Sequence, residues 1–367
     1  LFSFIPIKGE KTKYSKIIDL KIKQDCIDNQ IFLGSDIIKE YPDVLSNLEN
    51  VGLVINQTSS LVRLDNENMI IQTDLKNINI KAIFTPEHGF TGKNEAGKVI
   101  NDVYDYDVPI ISLYGEKRKP NKKEMLNLEL DAVIFDIQDI GSRYYTYVST
   151  LTNIMSACSE VDLPLYILDR PNPIGGENVD GPILDLNYSS FVGMHPIPIR
   201  HGMTIGELAF MINDLGWINN KKIDLKIIAM QGWKRNMYFE NTGKKWISPS
   251  PNIPNNKTAF IYQGTCLIEG TNLSEGRGTD SPFISIGSPW LNSKEVIKML
   301  DDLNLKGVIF NEINFIPRFI PSKSISPKYK DEKCYGIEID IINRELSSPL
   351  LITANIINII SDLHPNK

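Results

Sequence analysis

Ile83-Phe84-Thr85-Pro86-Glu87-His88-Gly89-Phe90 joins an apolar run to a polar cluster through a proline. The run, which begins at Ile80, is short and near-continuously apolar, the pattern of a strand buried on both faces of a sheet. Pro86 ends it. Glu87 and His88 follow, and neither is a usual turn former; Pro86 and Gly89 fix the backbone around them. A carboxylate and an imidazole are thereby presented at the end of a strand.

The same punctuation recurs along the chain. Residues 51–55 end in Asn56-Gln57-Thr58, and 108–113 end in Tyr114-Gly115. Residues 132–137 end in Gln138-Asp139, and 165–168 end in Asp169-Arg170-Pro171-Asn172-Pro173. Helical patterns lie between them. Tyr144, Tyr147, Leu151, Ile154, Met155 and Cys158 recur at i, i+3, i+4 spacing, which predicts a helix over 143–160. Thr204-Ile205-Gly206-Glu207 has the form of a capping box, and Gly216 stands where that helix should stop. A further strand is expected over 225–230. Strands alternating with helices predict an α/β fold, an open parallel sheet with helices on both faces.

At 367 residues the chain is long for one core, and two domains are expected. Residues 1–35 are polar and read as an irregular arm. The first domain spans 36–235. Ser248-Pro249-Ser250-Pro251-Asn252-Ile253-Pro254 cannot be regular helix. The remainder, 236–367, reads as a smaller α+β domain with a helix capped by Ser293. Hydrophobic content of 42% and charged content of 23% are those of a globular protein. A net charge of −6 with no basic stripe argues against nucleic acid as a partner. No window has the roughly 18 apolar residues of a transmembrane helix. Cys26, Cys158, Cys266 and Cys334 are far apart, so a metal cluster is not expected; one disulfide or four free thiols fit equally, with Cys158 read as core.

In open α/β sheets, ligands bind outside the carboxyl ends of the strands. The predicted strand ends would bring Asn56, Glu87, His88, Tyr114, Gln138, Asp139, Arg143, Asp169, Arg170 and Asn172 to one cleft edge. The plainer alternative is that these residues are caps and turn formers. A second rich segment is Glu269-Gly270-Thr271-Asn272-Leu273-Ser274-Glu275-Gly276-Arg277-Gly278-Thr279, either a substrate-facing loop or a loop stapled by an Arg–Glu pair. No GxGxxG or Gly-Lys-Ser/Thr motif is present, so no nucleotide cofactor is expected. His195 and His201 lack zinc-site spacing, so no metal is expected. No GxSxG elbow supports Ser-His-Asp chemistry. Trp233, Trp246 and Trp290 read as core or interface filler, with a sugar-stacking platform as the sharper alternative. The carboxylates that remain suit glycoside hydrolysis, in which two carboxyl groups flank the scissile bond.

At these residues the chain resembles the exo-β-N-acetylmuramidases, a bacterial family first known as a domain of unknown function. The matching segments are 52–58, 84–90, 112–115, 135–141, 143–147, 168–176, 198–204, 248–254 and 264–278, in the expected order. The resemblance implies a Rossmann-like domain that binds no dinucleotide and a smaller C-terminal domain closing the active-site cleft. It implies exo-acting release of terminal N-acetylmuramic acid from the non-reducing end of peptidoglycan fragments, without a cofactor. It implies Glu87 as a catalytic carboxylate, with Glu275 or Glu269 as the second and His88 tuning Glu87. Arg143, Arg170 and Arg277 become candidates for the lactyl carboxylate, and Asn56, Gln138 and Asn172 for hydroxyls or the acetamido group; Tyr114 and Asp169 complete the candidate site. A non-catalytic protein that binds muropeptides in the same cleft is the alternative. The family works outside the cytoplasm, so a periplasmic or secreted protein is expected. The chain begins at Leu1 rather than Met, which fits a removed signal or lipid-anchored segment.

Overall fold

The computed structural model describes residues 14–22, 30–65, 68–71, 78–95, 97–98, 101–102, 108–115 and 117–367. Most of the expected N-terminal arm, with Cys26, lies outside them. The element order is β1 (Ser15–Ile18), α1 (Gly34–Glu40), β2 (Asn50–Ile55), β3 (Val62–Asp65), β4 (Asn68–Ile71), β5 (Asn79–Thr85), β6 (Ile110–Ser112), α2 (Lys122–Asn127), β7 (Ala132–Asp136), α3 (Thr146–Glu160), β8 (Leu165–Leu168), α4 (Ile205–Asp214) and β9 (Leu225–Ile228). There follow α5 (Asn256–Thr265), β10 (Ser285–Ser288), α6 (Ser293–Asp302), β11 (Val308–Phe315), β12 (Cys334–Ile341) and α7 (Pro349–Leu363).

Seven strands form one parallel sheet in the order β1-β9-β8-β7-β2-β5-β6. The order reverses at β2 and β7: the chain leaves β2 toward β5 and β6, and leaves β7 toward β8 and β9. Such a switch opens a crevice above the carboxyl ends of the strands. The register aligns Leu53 with Ile83 and Ile134, and Val54 with Phe84 and Phe135. Alternation then sorts the side chains. Val54, Phe84 and Phe135 join the core under α3 and α4, whereas Leu53, Ile83 and Ile134 join the core under α1. A Cβ on Gly52 would meet the Phe84 ring at 2.7 Å, so any larger residue at this strand position would force that buried ring to shift.

Three antiparallel strands, in the order β10-β12-β11, form the second sheet. Its Ile286, Ile337 and Ile339 belong to the same apolar cluster as Phe84 and Phe135, so the two units share one core. Among the described residues no helix is long and apolar enough to cross a membrane.

Several local expectations hold. Thr204 Oγ1 accepts from the Glu207 N–H at 3.2 Å, Glu207 Oε2 accepts from the Thr204 N–H at 3.0 Å, and Gly216 adopts φ +69° beyond the helix end. Cys158 is fully buried, and Cys158, Cys266 and Cys334 are free thiols. Others shift. α3 begins at Thr146 rather than 143, because Arg143 N–H is drawn to Ile199 O and Tyr145 N–H closes a turn on Ser142 O. The cap of α6 is Asn292, not Ser293. Part of the arm is not irregular: Ser15–Ile18 pairs in parallel with Leu225–Ile228 as the edge strand.

One strand-end carboxyl gives the fold a pH dependence. Asp139 Oδ2 accepts from the Gly141 N–H at 2.7 Å, but its Oδ1 is buried without a protein partner. Burial raises its pKa to about 7. The folded state therefore holds a proton that the unfolded state has released, and stability falls as pH rises from the unfolded value near 3.8 through about 7. Asp139→Asn, which resembles the protonated form, removes this contribution. In urea melts between pH 4 and 7, wild-type stability should fall relative to the variant by on the order of 4 kcal/mol; parallel curves would show Asp139 ionised throughout.

Candidate active site

A cleft of about 510 Å³ opens above the carboxyl ends of β5 and β6. Its first wall is the strand-end cluster read from sequence: Glu87, His88 and Tyr114, joined by Thr146 at the start of α3. The opposite wall carries Glu269, Arg277 and Cys266, and Ser250, Asn252 and Ile253 of the proline-rich segment close one side.

Glu87 is buried, and both its oxygens accept hydrogen bonds: Oε1 from the Gly97 N–H at 2.8 Å, Oε2 from the Thr146 hydroxyl at 2.9 Å. Two donors from separate segments hold the carboxylate at one point on the cleft wall. His88 takes φ +72°, a left-handed conformation uncommon outside glycine, and this turns the chain back after Glu87. Its Nδ1 donates to the Asn94 carbonyl at 2.7 Å, which leaves Nε2 as the lone-pair nitrogen. Burial lowers the His88 pKa against the opposing pull of Glu87, so the ring is neutral near pH 7. The Tyr114 pKa is raised, by burial first and then by the Glu87 charge, so its phenol keeps its proton.

Across the cleft, Arg277 grips Glu269 Oε1 with Nε at 3.0 Å and Nη2 at 2.5 Å. Its Nε also lies 3.3 Å from Glu275 Oε1. Glu269 faces the cleft, whereas Glu275 is buried behind Arg277 and is not among the lining residues. Burial raises the Glu275 pKa against the pull of Arg277. Lys328 fixes this loop. Its ammonium donates to the carbonyls of Ile268, Glu269, Thr271 and Leu273 at 2.7–3.2 Å. The cleft floor is aromatic: the Tyr145 and Tyr262 rings meet edge-on at 6.1 Å, and Tyr262 and Phe283 at 4.8 Å.

The remaining strand-end candidates do not line the cleft; they hold the scaffold beneath it. Asn56 gives Nδ2 to the Tyr147 hydroxyl and accepts from Thr58 through Oδ1. Gln138 Nε2 donates to the carbonyls of Asp139 and Pro171. Arg143 Nη1 donates to the carbonyls of Pro182 and Ile197. Asp169 caps α4 through Gly206 N–H and the Thr204 hydroxyl, and lines a second pocket of about 360 Å³. Arg170 pairs with buried Asp136 at 2.6 Å. Asn172 bridges Met203 O and the Ile174 N–H. For these six the expected convergence on one cleft edge does not occur: each is held by partners within the protein, although the Arg143 Nε is buried without one. The three tryptophans also lie elsewhere. Trp246 packs edge-on against Phe239, Trp290 bonds Tyr329, and Trp233 lines the second pocket.

Thr146, Tyr145, Tyr262, Ser250 and Asn252 line the cleft and were not singled out from sequence. The proline pattern and the family resemblance drew notice to 248–254, and the resemblance to 143–147, but only as segments and not as cleft residues. Thr146 looked like one position in a helix, with no sign that its hydroxyl would meet a residue 59 positions away.

Two family models cover most of the chain. That described as Exo-beta-N-acetylmuramidase NamZ, N-terminal, matches residues 51–257, and its C-terminal counterpart matches 260–367. The peptidoglycan beta-N-acetylmuramidase NamZ of Bacillus subtilis (strain 168) is 39% identical over 328 residues, which is 88% of this chain and 76% of that protein. A crystal structure of a DUF1343 family protein from Bacteroides fragilis superposes with a TM-score of 0.80 at 32% identity, covering 92% of this chain and 84% of its own. A second DUF1343 family protein from Bacteroides fragilis gives 0.66 at 36% identity, covering 86% and 78%.

The hydrogen bond that positions Glu87 is open to test. Thr146→Val keeps the shape of the side chain and removes the donor. It should lower the unfolding free energy by about 1–3 kcal/mol, read by denaturant melts near pH 7. An unchanged midpoint would mean that the hydroxyl contributes nothing to holding the carboxylate.

Proposed function

The chain belongs to the exo-β-N-acetylmuramidase family, glycoside hydrolases, and from that premise we propose that it releases terminal N-acetylmuramic acid from the non-reducing end of peptidoglycan fragments. The observation that carries this reading is Glu87, buried at the end of β5, fixed by two donors and facing a cleft whose far wall bears Glu269. Glycoside hydrolysis needs two carboxyl groups on either side of the glycosidic oxygen and anomeric carbon. Glu87 is the first. Glu269 is favoured as the second, because it faces the cleft and Glu275 does not.

The surroundings suit a sugar. Tyr145, Tyr262 and Phe283 form an apolar floor, and the Tyr114 and Thr146 hydroxyls and Asn252 lie on the walls. His88, neutral with Nε2 as acceptor, is suited to receive a hydrogen bond from a hydroxyl or a water rather than to supply charge. Since peptidoglycan lies outside the cytoplasmic membrane, the protein's place of work is periplasmic or extracellular.

Glu87→Gln keeps the volume and removes the carboxylate. It should lower turnover of a chromogenic β-N-acetylmuramide by about 10²–10⁴-fold, with the far-ultraviolet circular dichroism unchanged. Turnover within about threefold of wild type would remove Glu87 from the mechanism.

A further inference from the structure

N-Acetylmuramic acid differs from N-acetylglucosamine by a lactyl ether that carries a carboxylate, and an arginine beside the cleft is suited to read it. The arginines that sequence suggests for this role are committed elsewhere. Arg143 serves two carbonyls, Arg170 is paired with Asp136, and Arg277 is paired with Glu269 and Glu275.

Arg118 is not so committed. Its guanidinium carbon lies 4.3 Å from the centre of the Tyr114 ring and 4.0 Å from that of Phe191. The two rings stand 5.9 Å apart at 57° and form a wedge around it. Tyr114 lines the cleft, as does Val192, the residue after Phe191. Stacking on aromatic faces fixes the plane of a guanidinium without consuming its N–H donors. Nη1 is buried with no hydrogen-bond partner, and among the described residues no carboxylate pairs with Arg118. The Tyr114 phenol interacts with both Glu87 and Arg118, so the guanidinium stands one phenol away from the candidate catalytic carboxylate.

We infer that Arg118, held between Tyr114 and Phe191, binds the lactyl carboxylate of the terminal muramic acid and sets the preference for that sugar over N-acetylglucosamine. The inference rests on the muramic-acid reading above. A planar fork meets a carboxylate with two parallel hydrogen bonds, which a point charge cannot match.

The test measures binding as well as turnover. Calorimetric dissociation constants for free N-acetylmuramic acid and for N-acetylglucosamine are determined with wild type, Arg118→Met and Arg118→Lys, each checked for an unchanged melting temperature. Arg118→Met, which keeps the stacked stem, should bind N-acetylmuramic acid about 10–100-fold more weakly while its N-acetylglucosamine affinity stays within about threefold. Arg118→Lys should fall between. Equal losses for both sugars, or no loss for either, would overturn the assignment. A wild type that binds the two sugars equally would overturn the assignment together with the muramic-acid reading. Discrimination that depends on Arg118 without turnover of any muramide would uphold the assignment and defeat only the hydrolytic reading.

Discussion

The proline-rich wall of the cleft is tied to the sheet through one buried hydroxyl. Tyr147 is fully buried on α3; its oxygen accepts from Asn56 Nδ2 at 2.9 Å and donates to the Pro249 carbonyl at 2.6 Å. A phenol enclosed by apolar strands must find partners, and these two come from the end of β2 and from the proline-rich segment. The bond chain therefore ties the proline-rich segment to the strand ends. Gln57 adds its side-chain amide to the carbonyls of Ser248 and Pro249, and Asn252 reaches onward to Lys323 O. With that segment fixed, Ser250 and Asn252 form a wall facing Glu87.

This constraint explains why so many strand-end polar groups work on the scaffold. A parallel sheet buried on both faces ends in backbone groups and loops that require internal partners. Asn56, Gln138, Asp169, Arg170 and Asn172 supply them. What is left for the substrate is a smaller set: Glu87, His88 and Tyr114 on one side, and Glu269 with Arg277 on the other. The Lys328 ammonium, gathered among four carbonyls, does for the second loop what Tyr147 does for the first, holding an irregular segment in one shape.

Much of this was legible in the residues because it depends on near neighbours. Near-continuous apolar runs marked β2, β5, β7 and β8. The capping box at Thr204 and the glycine at 216 marked both ends of α4. Edge strand β1 escaped notice because four residues of Ser-Lys-Ile-Ile carry no period; only β9 alongside makes them a strand. The start of α3 moved by three residues because a distant carbonyl, Ile199 O, captures the Arg143 N–H.

The sequence alone determined the parallel α/β sheet, the turn that presents Glu87 and His88, and the family. Only the tertiary structure decided which polar residues face the cleft. Whether a side chain is free depends on which carbonyl or carboxylate lands beside it, and many of those partners lie tens of positions away. Arg170 met Asp136 and was spent on the scaffold; Arg118 met two aromatic rings, and its Nη1 has no hydrogen-bond partner.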